Sequence, residues 1–240
     1  DLQNYRNYEF LNMTFDNKIN IIYGDNAQGK TNILEALYVC ATSKSHRTSK
    51  DKDIIRFGND EAHIKVIVKK HDMNYRIDMH LKKNKTKGIA VNAIPIKRAV
   101  ELFGIINIVI FSPEDLNIIK NGPSERRRFV DMELSQLDKI YLSNLINYNK
   151  VVVQRNKLLK QLQFTNDKQL IDMLDVWDLQ LVKYGTEIIK RRNQFIKDIN
   201  LIIQPVHNKL SGGKECLTLK YIPCVGEDDF YNVLRSSRQR

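Results

Sequence analysis

Cysteine is scarce in this 240-residue chain: Cys40, Cys216 and Cys224 are an odd number, and no two of them stand in a C-x-x-C pair. That spacing suggests neither a disulfide framework nor a cysteine zinc site. Long apolar runs are lacking too. No stretch reaches the ~18 uncharged apolar residues that span a bilayer, and the start, Asp1-Leu2-Gln3-Asn4-Tyr5, has no basic region followed by an apolar core. The expectation is a cytoplasmic protein that makes no use of a membrane. Internal repeats and low-complexity tracts are also missing.

What is present is a 42% hydrophobic composition, ample for one large domain or two small ones, and a formal net charge of +11. The charge is uneven. Between Lys69 and Arg98 nine basic residues stand against Asp72 and Asp78. Such a patch favours a polyanionic partner, although lysines on a hairpin edge also serve to prevent edge pairing.

Gly24-Asp25-Asn26-Ala27-Gln28-Gly29-Lys30-Thr31 is an uninterrupted G-x-x-x-x-G-K-[ST] loop between a strand-like run, Ile19 to Tyr23, and a helix-like one, Asn32 to Ala41. Glycines let the backbone curl so that successive N–H groups face a phosphate, and the helix start adds its positive dipole end. Lys30 would reach the β- and γ-phosphates of a bound ATP, and the Thr31 hydroxyl would hold Mg²⁺.

The first third alternates between strand and helix patterns. Ala62 to Lys69 and Tyr75 to Leu81 read as a half-buried antiparallel pair, with Ile64, Val66 and Val68 on one face and Ile77, Met79 and Leu81 on the other strand's equivalent. Gly104 to Phe111 is nearly continuously apolar, as in a strand buried on both faces. After Pro123, with Ser124 as N-cap, apolar residues recur every three or four positions from Val130 to Val152, and again from Leu170 to Ile188 beyond a polar break at Thr165-Asn166-Asp167. Two helices so joined predict an antiparallel hairpin. Pro205 should end the second helix, and Leu217 to Ile222 reads as a strand returning to the sheet. The predicted organisation is α/β, with an ATP-binding lobe over 1–112, a helical lobe over 113–205 and a returning strand within 206–240.

Two further motifs need weighing. Ile108 to Phe111 leads into Glu114 and Asp115, which could supply a metal carboxylate or belong to a sensor loop between lobes. Leu210-Ser211-Gly212-Gly213 mimics the L-S-G-G-Q signature of ABC-type ATPases, but the alternating Cys216 to Tyr221 that follows predicts a Gly-Gly turn before a strand.

Taken with Asn4-Tyr5-Arg6-Asn7-Tyr8, Ser45-His46-Arg47-Thr48, Phe111-Ser112-Pro113-Glu114-Asp115-Leu116, Pro123-Ser124-Glu125-Arg126-Arg127-Arg128-Phe129 and Gln154-Arg155-Asn156, the loop resembles the RecF family of bacterial DNA replication and repair ATPases. The resemblance implies an ABC-type ATPase head related to the SMC proteins, with a weak ATPase in the complete protein and negligible turnover in this chain. It implies an ATP-dependent homodimer that binds single-stranded and double-stranded DNA, acts with RecR and RecO in loading RecA, and contributes to SOS induction. By the family pattern Gly24, Asp25, Asn26, Ala27, Gln28, Gly29, Lys30 and Thr31 hold ATP and Mg²⁺, Phe111 to Leu116 replace a glutamine loop without its glutamine, and Arg6, His46 and Arg47 lie near the nucleotide. The signature and catalytic aspartate of the family fall past the equivalent of Arg240, so the chain is expected to be about two thirds of such a protein. DNA contact is expected at Lys82, Lys83, Lys85 and Lys87, and at Arg126, Arg127 and Arg128. A P-loop small-molecule kinase is the alternative reading.

Overall fold

The computed structural model describes residues 1–165 and 167–238, and all but the side chain of Glu114 among them; Glu114 as a metal carboxylate and Asn166 in the polar break therefore lie outside the described residues. Two compact units divide the chain at Lys120 and Asn121.

The N-terminal unit is a six-stranded antiparallel sheet of order β2-β1-β3-β4-β5-β6, carrying one long helix. The strands are β1 (Leu2–Tyr5), β2 (Tyr8–Leu11), β3 (Glu61–Lys70), β4 (Met73–Lys82), β5 (Lys85–Val91) and β6 (Ile94–Pro95). Alternation fixes the register of the central pair: Ile64 faces Met79 and Ala62 faces Leu81, all four buried. Two tight turns have both central residues at positive φ, His71-Asp72 and Asn92-Ala93, the backbone twist that suits a two-residue hairpin. Helix α1 (Lys30–Thr42) lays Ala36, Val39 and Cys40 on the core beneath these strands. Burial pushes the Cys40 thiol up to about 12, so it is an inert core residue.

Two expected strands of this unit do not form. Ile19 to Tyr23 is unpaired, with Ile19, Ile21 and Tyr23 each more than four-fifths exposed. Gly104 to Phe111 makes a single bridge, Phe103 to Ile106, and leaves Val109 and Phe111 exposed rather than buried on two faces. Both are apolar enough for a sheet interior, but among the described residues no strand lies beside them. The short helix α2 (Asn117–Lys120) closes the unit.

The C-terminal unit is helical. The first long helix is not continuous: α3 (Pro123–Leu137) and α4 (Lys139–Leu162) are separated at Asp138, whose carboxylate accepts from the amides of Ile140 and Tyr141. Gly122, not Ser124, caps α3, because Pro123 supplies the preset φ of a first helical position and needs no donor. Helix α5 (Lys168–Ser211) runs back along α4, as the pairs Asp138 with Arg191 and Arg155 with Asp178 require of antiparallel neighbours.

Pro205 lies inside α5 and does not end it; the helix continues to Ser211, where Gly212 and Gly213 adopt positive φ and return their amides to Asn208. Leu217 to Ile222 is no strand. The Asn200 side chain donates to the Leu219 carbonyl and accepts from its amide, both at 2.8 Å, so a side chain of α5 takes the place of a neighbouring strand. A last helix, α6 (Phe230–Ser236), packs Phe230 onto Gly185.

A Cβ at Gly185 would overlap the Phe230 ring and stand 3.1 Å from Tyr148 Cε2. Gly185→Ala is therefore expected to destabilise the helical unit by about 1–3 kcal/mol, despite alanine's better helix propensity. Urea unfolding of the variant checks this, and an unchanged or higher midpoint would refute the packing.

Candidate nucleotide-binding site

The loop preceding α1 curls through positive φ at Gly24, Ala27 and Gly29, at 136°, 67° and 96°. Gly29 is constrained twice over: its conformation favours glycine, and a Cβ would lie 2.5 Å from Asn7 Oδ1 and 2.8 Å from the Tyr8 hydroxyl. Asn7 Nδ2 and the Tyr8 hydroxyl donate to the Gln28 carbonyl at 3.1 and 3.3 Å, so the β1–β2 hairpin braces the loop from behind. Residues 24–28 are exposed and Gly29 is half-buried, which leaves most of the loop's amide donors open to solvent. These donors, beside the first turn of a helix, are what a phosphate chain would satisfy. Lys30 Nζ donates to the carbonyls of Gly24 and Asp25 at 2.7 and 2.5 Å, holding the cation at the loop, and Thr31 is exposed beside it.

Beneath the loop lies a carboxylate that the motif does not include. Glu35 is completely buried on α1 and receives Arg6 Nε at 2.8 Å, Arg6 Nη2 at 2.6 Å and the Ser45 hydroxyl at 2.5 Å. Burial alone would raise its pKa, but the hydrogen bonds from Arg6 and Ser45 and the charges of Arg6 and Arg47 outweigh it and hold the carboxyl below its ordinary value. Arg6 also donates to the Asp53 carbonyl, and Arg47 donates to Asn32 Oδ1, whose amide group donates to Asn7. Hairpin, loop, helix and the segment 45–53 are thus tied through one buried charge. A glutamate among Ile33, Ala36 and Val39, on the apolar face of α1, was the available signal for it.

Of the other expected residues, His46 packs edge-on against Tyr38 at 5.2 Å, one turn of α1 beyond Glu35. Asp115 caps its own turn by accepting from the Ser112 amide and hydroxyl at 2.6 and 3.2 Å, which occupies the carboxylate locally. Ser211 and Gly212 close a helix instead of opening one, so this Leu-Ser-Gly-Gly has no dipole end to offer a phosphate.

The basic residues are not alike. Lys87 is largely buried, bonded to the Ser43 carbonyl and Asp51, and holds the end of α1. Lys82, half-buried, pairs with Glu61 at 3.1 Å and Lys83, exposed, with Asp60 at 3.0 Å, while Lys85 is exposed at the start of β5. In the helical unit Arg126 donates to the Asn121 carbonyl, Arg128 lies 4.0 Å from Glu125, and Arg127 is exposed.

The phosphate loop set on a mixed α/β unit, followed by a helical hairpin, defines a P-loop ATPase head. Residues 1–236 match the AAA domain family. The chain is 69% identical over its whole length to the DNA replication and repair protein RecF of Lachnospira eligens and 59% identical to that of Lachnoclostridium phytofermentans, and spans 66% of the length of each. Two solved structures of the recombination mediator protein RecF in the RecFOR pathway, one with ATP and one with ATPrS, superpose on 99% of the chain at TM-scores of 0.89 and 0.88 and 32% identity; the chain covers 66% of each. The chain belongs to the RecF family of AAA-domain proteins. Membership sets aside the small-molecule kinase reading.

Proposed function

We propose that this chain carries the nucleotide cradle of an ATP-dependent DNA replication and repair protein. The observation that carries the reading is the exposed loop at residues 24–29, curled through positive φ at Gly24, Ala27 and Gly29, with Lys30 Nζ held against the Gly24 and Asp25 carbonyls. Gly24 to Thr31 hold the triphosphate, with Lys30 countering its charge and the Thr31 hydroxyl donating an oxygen to Mg²⁺, which neutralises the β- and γ-phosphates. ATP acts as a dimerisation switch: it favours the paired state by its differential affinity for that state, and the pair binds DNA. Lys82, Lys83, Lys85, Arg126, Arg127 and Arg128 contribute a mostly electrostatic grip on single-stranded and double-stranded DNA. The exposed ion pairs among them cost little to exchange for phosphate contacts. Lys87 acts at the end of α1. RecR and RecO are the partners, RecA loading and SOS induction the outcome, and the cytoplasm the location. No described helix is long and apolar enough to cross a membrane.

In the complete gene product, ATP with Mg²⁺ should convert monomer to dimer in sedimentation experiments and raise DNA affinity. That affinity should fall linearly in log–log form with salt. ATP-independent dimerisation, or DNA binding insensitive to salt, would contradict the proposal.

A further inference from the structure

Glu61 and His63 stand two residues apart on β3 and so share one face of the sheet, while their neighbours Ala62 and Ile64 enter the core on the other. His80 of β4 is the direct cross-strand partner of His63, and the two imidazoles are stacked with ring centres 4.0 Å apart and planes 22° from parallel. The register that fixes the hydrophobic core therefore also fixes three potential ligands on the opposite face. His80 Nε2 is 2.9 Å from Glu61 Oε2, and one ligand atom from each of the three side chains lies within 4.8 Å of the others.

We propose that Glu61, His63 and His80 bind a divalent transition-metal ion of the zinc type. Ligands at ~2.0–2.2 Å around a tetrahedral zinc stand about 3.3–3.6 Å from each other. The observed spread closes to that by side-chain rotation on a backbone held by two ten-residue strands. Two imidazoles and one carboxylate select zinc, cobalt or nickel over magnesium or calcium, which prefer all-oxygen shells. Lys82, 3.1 Å from the same Glu61 oxygen, holds the carboxylate in the metal-free protein and yields it to the ion.

Three protein ligands leave a fourth position open. His63 and His80 line a groove of about 560 Å³, together with Gln3, Phe10, Gly88 and Pro95. Gly88 is the register partner of His80, and its missing side chain leaves that flank of the imidazole uncovered. The open position thus takes water or a small external donor.

Calorimetric titration of the chelator-treated protein with ZnCl₂, against MgCl₂ as comparison, tests this. One zinc per chain is expected at micromolar affinity, weakened by ~10–100-fold or more in His63→Gln and in His80→Gln and unchanged in the double variant Cys216→Ser, Cys224→Ser. No stoichiometric binding, binding that survives both histidine substitutions, or binding lost with the cysteines overturns the site. Should a histidine variant fail to fold, Co²⁺ added to the unsubstituted protein decides: the ring signals of two of its five histidines should shift together at one equivalent. Shifts in none, or in a single histidine, overturn it.

Discussion

Replacing Glu35 by alanine should remove about 3–5 kcal/mol from the stability of the N-terminal unit, the range for breaking a buried ion pair from one side. The carboxylate is wholly inaccessible and Arg6, its partner, keeps only a fifth of its side chain in solvent. Alanine leaves that guanidinium, the Ser45 hydroxyl and a cavity without compensation. Glu35→Gln keeps the shape and two hydrogen-bonding positions, so its loss should be smaller, which separates charge from volume. Guanidinium unfolding followed by circular dichroism measures both, and a loss below about 1 kcal/mol for alanine would show that the network is not holding the unit together. The same pair predicts acid sensitivity. Folding lowers the Glu35 pKa, so the unfolded chain takes up the proton first as pH falls. The stabilisation is whole above the ordinary glutamate value of ~4.3 and disappears as pH drops through the lower folded value; Glu35→Ala should flatten that part of the profile.

Lys30→Ala should weaken ATP binding by about 2 kcal/mol or more, a ~30-fold rise in Kd, because it removes a side-chain cation bonded within the phosphate cradle. Stability should hardly change. The lysine's partners are exposed loop carbonyls, which water replaces without penalty. Fluorescence titration with an ATP analogue, alongside a thermal unfolding curve, distinguishes a lost ligand contact from a lost fold. Equal affinity in the two proteins would remove Lys30 from the site and leave the loop's amides as a structural turn.

The parts of this molecule that could be read in advance are those whose determinants are local. Eight contiguous residues specify the loop, and alternation over Ala62 to Lys69 and Tyr75 to Leu81 marks the middles of β3 and β4, because each residue there needs only its nearest neighbours to settle its face. Ile19 to Tyr23, Gly104 to Phe111 and Leu217 to Ile222 misled for the opposite reason: apolar composition says that a segment could pair, while pairing depends on a strand distant in sequence. At Leu219 the side chain of Asn200 supplied both backbone partners instead. Pro205 misled because the loss of one donor does not stop a 44-residue helix whose other bonds remain. The Glu35 network was invisible as a network, since Arg6, Glu35 and the Ser45–Arg47 segment belong to three separate stretches that only the fold brings together.

The helical hairpin has a property that follows from where its charges sit. Asp131 and Asp138 meet Arg192 and Arg191 near one end of the α4–α5 contact, and Arg155 meets the fully buried Asp178 further along. Heptad-like apolar stripes alone are nearly indifferent to sliding by one helical turn, about 5.4 Å. With ionic contacts at two separated levels, such a slip would strand a carboxylate and a guanidinium at both at once. The pairs therefore act as a vernier that fixes the alignment of the two helices.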